Sequence, residues 1–231
     1  MSKLELRWFW VGAGLWASSV FFKFMCAVQI NPPVVAYMKQ HFSYAGIMAA
    51  SGVFFGVESA LFEIGFTVAA VVIWRSLGRD AERAIGIGIG AGAIEALVLG
   101  LLSLSAIAST LCQLPGTGEI RTLIEASAAT TPLFWLIGIV ERVIALLCHT
   151  SSRALILLGA VNRRPMMVLS GFALFSLLDG VAGAAQVSGK LGTISMWWIE
   201  LAMLPFAIAS VPVIRWCYAT FKARAAAGTE I

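Results

Sequence analysis

The stretch Ala84–Cys112, AIGIGIGAGAIEALVLGLLSLSAIASTLC, runs for 29 residues and holds one charge, Glu95. A helix rises about 1.5 Å per residue and needs about 20 mostly apolar residues to cross the ~30 Å hydrocarbon core of a bilayer, so this run is long enough to span it with some tilt. The rest of the chain agrees. Of 231 residues, 60% are apolar and 12% charged, against about 25% charged in ordinary globular chains. A soluble protein is thereby excluded. Hydropathy predicts five more spans, near Trp8–Ile30, Ile47–Trp74, Pro132–Val161, Met166–Val187 and Thr193–Tyr218. The fold class is an all-α polytopic membrane bundle in one domain, 1–231, without internal repeats. The N-terminal run does not read as a secretory signal, being too long and carrying Lys23 inside it. The longest connection, Gln113–Thr131, contains Pro115, Gly116 and Gly118 and then a short helical stretch at Glu119–Ala129.

Orientation follows from the loops. With a cytoplasmic N-terminus, ten basic residues (Lys3, Arg7, Arg75, Arg79, Arg83, Arg163, Arg164, Arg215, Lys222 and Arg224) fall inside, and three (Lys39, Arg121 and Lys190) fall outside. That bias predicts both termini in the cytoplasm of a cell-membrane protein. Trp8, Trp10, Trp74 and Trp216 then sit at inner ends and Trp135, Trp197 and Trp198 at outer ends, where indole rings favour the headgroup level; Trp16 sits deeper. The basic loops suit anionic lipid, so the bilayer is the expected partner and nucleic acid is not. Cys26, Cys112, Cys148 and Cys217 form no CxxC pair and are read as small buried hydrophobes.

The net charge of +4 hides two unlike parts. Thirteen basic and six acidic residues lie outside the spans; three basic (Lys23, Arg142, Arg153) and six acidic (Glu58, Glu63, Glu95, Glu141, Asp179, Glu200) lie within them. A charge at mid-membrane costs about 2.5–3.5 kcal/mol on insertion scales, so these groups, with His149, must face one another or a wet cavity, and three carboxylates lack a basic counterpart. Lys23, Arg153 and Glu200, toward span ends, are read as structural pairs or as side chains reaching an interface. Glu58, Glu63, Glu95, Glu141, Arg142, His149 and Asp179 are the candidate polar site. Arg142, His149 and Arg153 are spaced by seven and four residues, one stripe on a helix of about 3.6 residues per turn, with Glu141 about a quarter-turn away. Glu58 and Glu63 point about 140° apart on an ideal helix, so one of them is expected to be structural. Gly88, Gly92, Ala96 and Gly100 recur every fourth residue and Gly86 and Gly90 add a second row; close helix packing explains them better than a phosphate-binding loop, which needs a strand before it.

Four segments between Gly52 and Glu200 resemble the YhfC family of intramembrane metalloproteases, similar in broad fold to CAAX-prenyl-protease and PrsW-type membrane peptidases. The first family motif is Phe-Glu-Glu-x-Gly-Arg; Phe62, Glu63, Ile64, Gly65 and Phe66 keep its first glutamate and lose the second, and the arginine is lost too. The second, Gly-x-Gly-His-Gly-Gly-x-Glu-Ala, is matched from Gly88 to Ala96, with Ala91 where histidine belongs and Glu95 retained. The third, Glu-Arg with histidine seven residues on, is intact as Glu141, Arg142 and His149, and the last, His-x-x-x-Asp, has Phe175 for histidine and keeps Asp179.

The resemblance implies Glu63 as general base and the three motif histidines as zinc ligands or their supporters, of which only His149 survives. His149, Glu95 and Asp179, with Glu141, would make a harder and weaker cation site than a histidine-rich zinc site. The expectation is a catalytically degenerate family member, a pseudoprotease that binds a membrane peptide, lipid or partner protein. The alternatives are an active metallopeptidase using Glu63, Glu95 and His149, and a small transporter or channel component motivated by the unbalanced intramembrane charge.

Overall fold

The computed structural model describes residues 5–226. Lys3 and the side chains of Lys222 and Arg224, three members of the inner-loop count, lie outside the described residues. Seven α-helices follow one another: α1 (Leu6–His41), α2 (Tyr44–Ile73), α3 (Ala81–Leu111), α4 (Gly118–Thr130), α5 (Ile137–Val161), α6 (Pro165–Val187) and α7 (Trp197–Ala226). Short 3-10 turns at Arg75–Gly78 and Phe134–Leu136 join them, and there is no β-strand among the described residues. All but α4 are long and apolar enough to cross a membrane, so the protein is an all-α, six-span integral membrane bundle. An even number of crossings returns the chain to the face on which it began.

Local chemistry sets the helix ends. Asp80 caps α3 by accepting from the Arg83 N–H at 2.8 Å, and Ser43 caps α2 by accepting from Gly46. Between α5 and α6, Arg163 takes the left-handed conformation (φ 53°), and the Arg164 N–H donates to the Gly159 carbonyl at 2.8 Å. That closes the last turn of α5, and Pro165 opens α6 where its missing N–H costs nothing. The first span is longer than hydropathy predicts. It continues past Ile30 through Pro32 and Pro33 to His41. The paired prolines release the carbonyls of Val28 and Gln29 near the end of the apolar stretch, where water can take their place as partner, and the helix continues through them.

Burial is inverted relative to a soluble core. The most deeply buried helix is α5, with 72% of its apolar window enclosed against 22–39% in the other spans, and it packs against α2, α3, α6 and α7. Its buried residues include His149, Thr150, Ser151, Ser152 and Arg153, while Phe21, Phe24, Leu102, Leu104, Leu169 and Leu201 are exposed. Lipid as solvent favours that arrangement.

The glycines of α3 divide between two neighbours. Gly90 meets the backbone of Phe9 on α1, and Gly88 faces α5, where a Cβ would stand 2.6 Å from the Thr150 Cα. Gly100, predicted to extend the same ridge, faces open space. A second close approach, between Gly52 and Gly56 of α2 and Gly180 of α6, has the same four-residue spacing, which the sequence reading passed over. The cysteines need a correction: Cys148 and Cys217 are buried, but Cys112 is exposed beyond the end of α3 and Cys26 is half-buried.

Candidate functional site

Four helices, α1, α2, α3 and α6, bring their charges to one place beside α5. Glu95 of α3 accepts from Trp16 Nε1 (3.0 Å), Arg142 Nη1 (3.0 Å) and His149 Nε2 (2.6 Å). Glu63 of α2 accepts from Lys23 Nζ (3.3 Å) on one oxygen, which also lies 3.4 Å from Ser59 Oγ, and from Arg153 Nη2 (3.4 Å) on the other. Asp179 of α6 accepts from Ser59 Oγ and lies 3.9 Å from Lys23 Nζ. Lys23 also donates to Ser59 Oγ at 2.6 Å, which ties α1, α2 and α6 together.

These carboxylates line a cavity of about 390 Å³. Its rim includes Asn31, Glu141 and Gln186, which stand in the distal part of α1, the first turns of α5 and the last turn of α6. The cavity therefore extends toward the face opposite the described chain ends. His149 and Arg153 lie behind its wall, 2% and 0% exposed. Phe175 seals them from the far side: its ring stands edge-on to His149 with centroids 5.0 Å apart, and the Arg153 Cζ is 5.6 Å from its centroid. Ala91 is fully buried and offers only a methyl group. Phe66 is away from the cluster, packed on Phe22.

All seven predicted site residues border this cavity or touch a residue that does. Glu63, buried, and Glu58, half-buried, both line it, so the 140° between them excludes neither. Glu141 pairs with Arg142 at the rim. Lys23 and Arg153 take the structural-pair alternative of their reading, not the interfacial one. Each pairs with Glu63 within the cluster, and Arg153, fully enclosed, reaches no interface. Sequence reasoning also passed over Asn31 and Ser59. Ser59 lies one turn before Glu63 on the same helix face, and that spacing was the available signal.

The charge ledger changes with the geometry. Lys23, Arg142 and Arg153 contact Glu63, Glu95 and Asp179, three cations for three anions. The carboxylates in excess are the outer ones. Glu58 receives one hydrogen bond, from Asn31 Nδ2 at 3.3 Å, Glu141 shares Arg142, and Glu200 is buried with its Oε2 unpaired among the described residues.

A metal at this site must be tested against the donors present. Glu63, Glu95 and His149 offer ligand atoms within 4.8 Å of one another, a compact set of two carboxylates and an imidazole. Each of those atoms is already engaged. Arg153 Nη1 lies 2.6 Å from His149 Nδ1; a guanidinium has no acceptor, so Nδ1 carries the lone pair and Nε2 carries the proton, which it donates to Glu95. A ligating histidine also gives one N–H to a carboxylate or carbonyl but keeps the lone pair of its other nitrogen for the metal; here Arg153 takes that lone pair. Three cationic side chains around the same oxygens add repulsion. The residues as they stand do not fit a divalent metal.

Fold and site together define a six-span integral membrane protein built around a buried polar chamber. The family model described as YhfC intramembrane metalloprotease matches residues 2–203, and the chain belongs to that family. The match takes in α1, with Trp16, Lys23 and Asn31, beyond the Gly52–Glu200 range of the motifs. No curated protein and no solved structure matches the chain.

Proposed function

We propose that this chain is a catalytically degenerate member of its family, a pseudoprotease of the cell membrane that uses the chamber and the surface beside it to bind a membrane-embedded partner. The observation that carries the reading is the Arg153 guanidinium seated on both His149 Nδ1 and Glu63 Oε2. It occupies the two groups on which a metallopeptidase would depend, one as ligand and the other as base. Phe175 and Ala91 supply apolar surface where the family motifs supply imidazole. The loop charges favour cytoplasmic termini, and the chamber then extends toward the outside.

Purified protein tested for zinc and for cleavage of a membrane-spanning peptide decides the matter. The expected outcome is zinc well below one per chain and an intact peptide. A second reading, an active peptidase using Glu63, Glu95 and His149, has the 4.8 Å grouping of their ligand atoms in its favour. Stoichiometric zinc, with cleavage abolished by Glu63→Gln and by His149→Ala, would establish it instead.

A further inference from the structure

Glu58 borders two spaces of opposite character. One is the polar cavity; the other is an apolar groove of about 920 Å³ between the distal part of α1 and the outer face of α2. In the groove Glu58 is the one charged residue among apolar neighbours such as Ile30, Ala50, Val53, Val57 and Leu61. Val53 and Leu61 are 68% and 60% exposed, so the groove faces lipid. Glu58 is the fifteenth of the thirty residues of α2, within its apolar span. It forms no ion pair among the described residues; its partner is the neutral Asn31, whose Oδ1 is itself buried and unpaired.

We propose that this groove docks a single transmembrane helix of a partner protein carrying one Lys or Arg within its apolar stretch, with Glu58 receiving that charge. The proposal rests on the reading that the scaffold binds a membrane partner, and it names the partner's chemistry. Shape supports a helix: the groove follows α2 from Gly46 to Phe62, about 24 Å at ~1.5 Å per residue and most of the ~30 Å core. Gly46, Ala49 and Ala50 leave one end of it low, as close helix approach requires. Charge supports a basic residue, since a lone carboxylate and a lone cation within the membrane each pay an insertion penalty that pairing offsets.

The test uses the full chain in phosphatidylcholine vesicles with a designed Leu/Ala single-span peptide bearing one central Lys, association being read by energy transfer between labels. The Lys peptide is expected to associate about tenfold more tightly than its Lys→Leu control, with Glu58→Gln removing that difference. Glu58→Asp keeps most of it, and Ala50→Trp, which fills the groove, weakens both peptides. Equal association of the two peptides, or indifference to Glu58→Gln in folded protein, overturns the proposal. So does displacement of the Lys peptide by ethanolamine phospholipid, which would make the occupant a lipid. Cleavage of the docked peptide would instead overturn the degenerate reading and leave the docking site standing.

Discussion

Arg153 and His149 stand one turn apart on α5, and the guanidinium Nη1 meets the imidazole Nδ1 at 2.6 Å while Nη2 reaches Glu63. A fully buried cation therefore fixes the proton on the far side of the imidazole and neutralises the carboxylate across the helix interface.

Replacing Arg153 by methionine leaves Glu63 with half of its basic partners and a desolvated oxygen. Breaking one side of a buried ion pair costs about 3–5 kcal/mol. Chemical unfolding in detergent is expected to register a loss of that order for Arg153→Met. In the Glu63→Gln/Arg153→Met double variant the penalties should be sub-additive by more than about 1 kcal/mol, as groups in contact are. Additive losses would mean the two groups do not interact.

Restoring family histidines does not restore metal by itself. Phe175→His should leave zinc affinity unchanged, because Arg153 still donates to His149. Adding Arg153→Ala should raise it about 10–100-fold, the usual scale of a ligand's outer hydrogen-bond partner. Competition titration with a zinc chelator in detergent compares the two, and a zinc-tight Phe175→His single variant would show that Arg153 is no obstacle.

The glycines of α3 are expected to differ sharply. Gly88→Leu forces a side chain against the Thr150 backbone and should cost at least about 3 kcal/mol or prevent folding, whereas Gly100→Leu points into open space and should be nearly neutral. Yield and thermal unfolding of the pair measure this. Similar behaviour of both variants would contradict the packing of α3 on α5.

Orientation has a built-in reporter. Cys112 is exposed at the end of α3 away from the chain ends, while Cys148 and Cys217 are buried. With cytoplasmic termini, a membrane-impermeant maleimide should label Cys112 on intact cells, and Cys112→Ser should abolish the signal. Labelling only after lysis would invert the topology.

The six spans were legible because hydrophobic length alone marks them, and the α5 stripe because spacing within one helix fixes a common face. What spacing could not convey was pairing between helices. Lys23 and Arg153 looked like span-end residues in linear order, yet the approach of α1 and α5 to α2 sets both against Glu63. Seven candidate residues were recognised by being charged in apolar surroundings; the order in which they engage one another depends on crossings that no single helix encodes. Helix α1 runs on past the predicted span to His41, through Pro32 and Pro33, and hydropathy does not register that extension.

The contacts between α1 and α3 reach further than packing. Gly12 lies against Ile87 and Gly90 against Phe9, backbone on backbone, so a side chain at Gly12 or Gly90 would push α1 away from α3. Such a displacement would carry Trp16 off Glu95 and Lys23 off Glu63, and two glycines that bear no charge thereby hold the charged cluster in register.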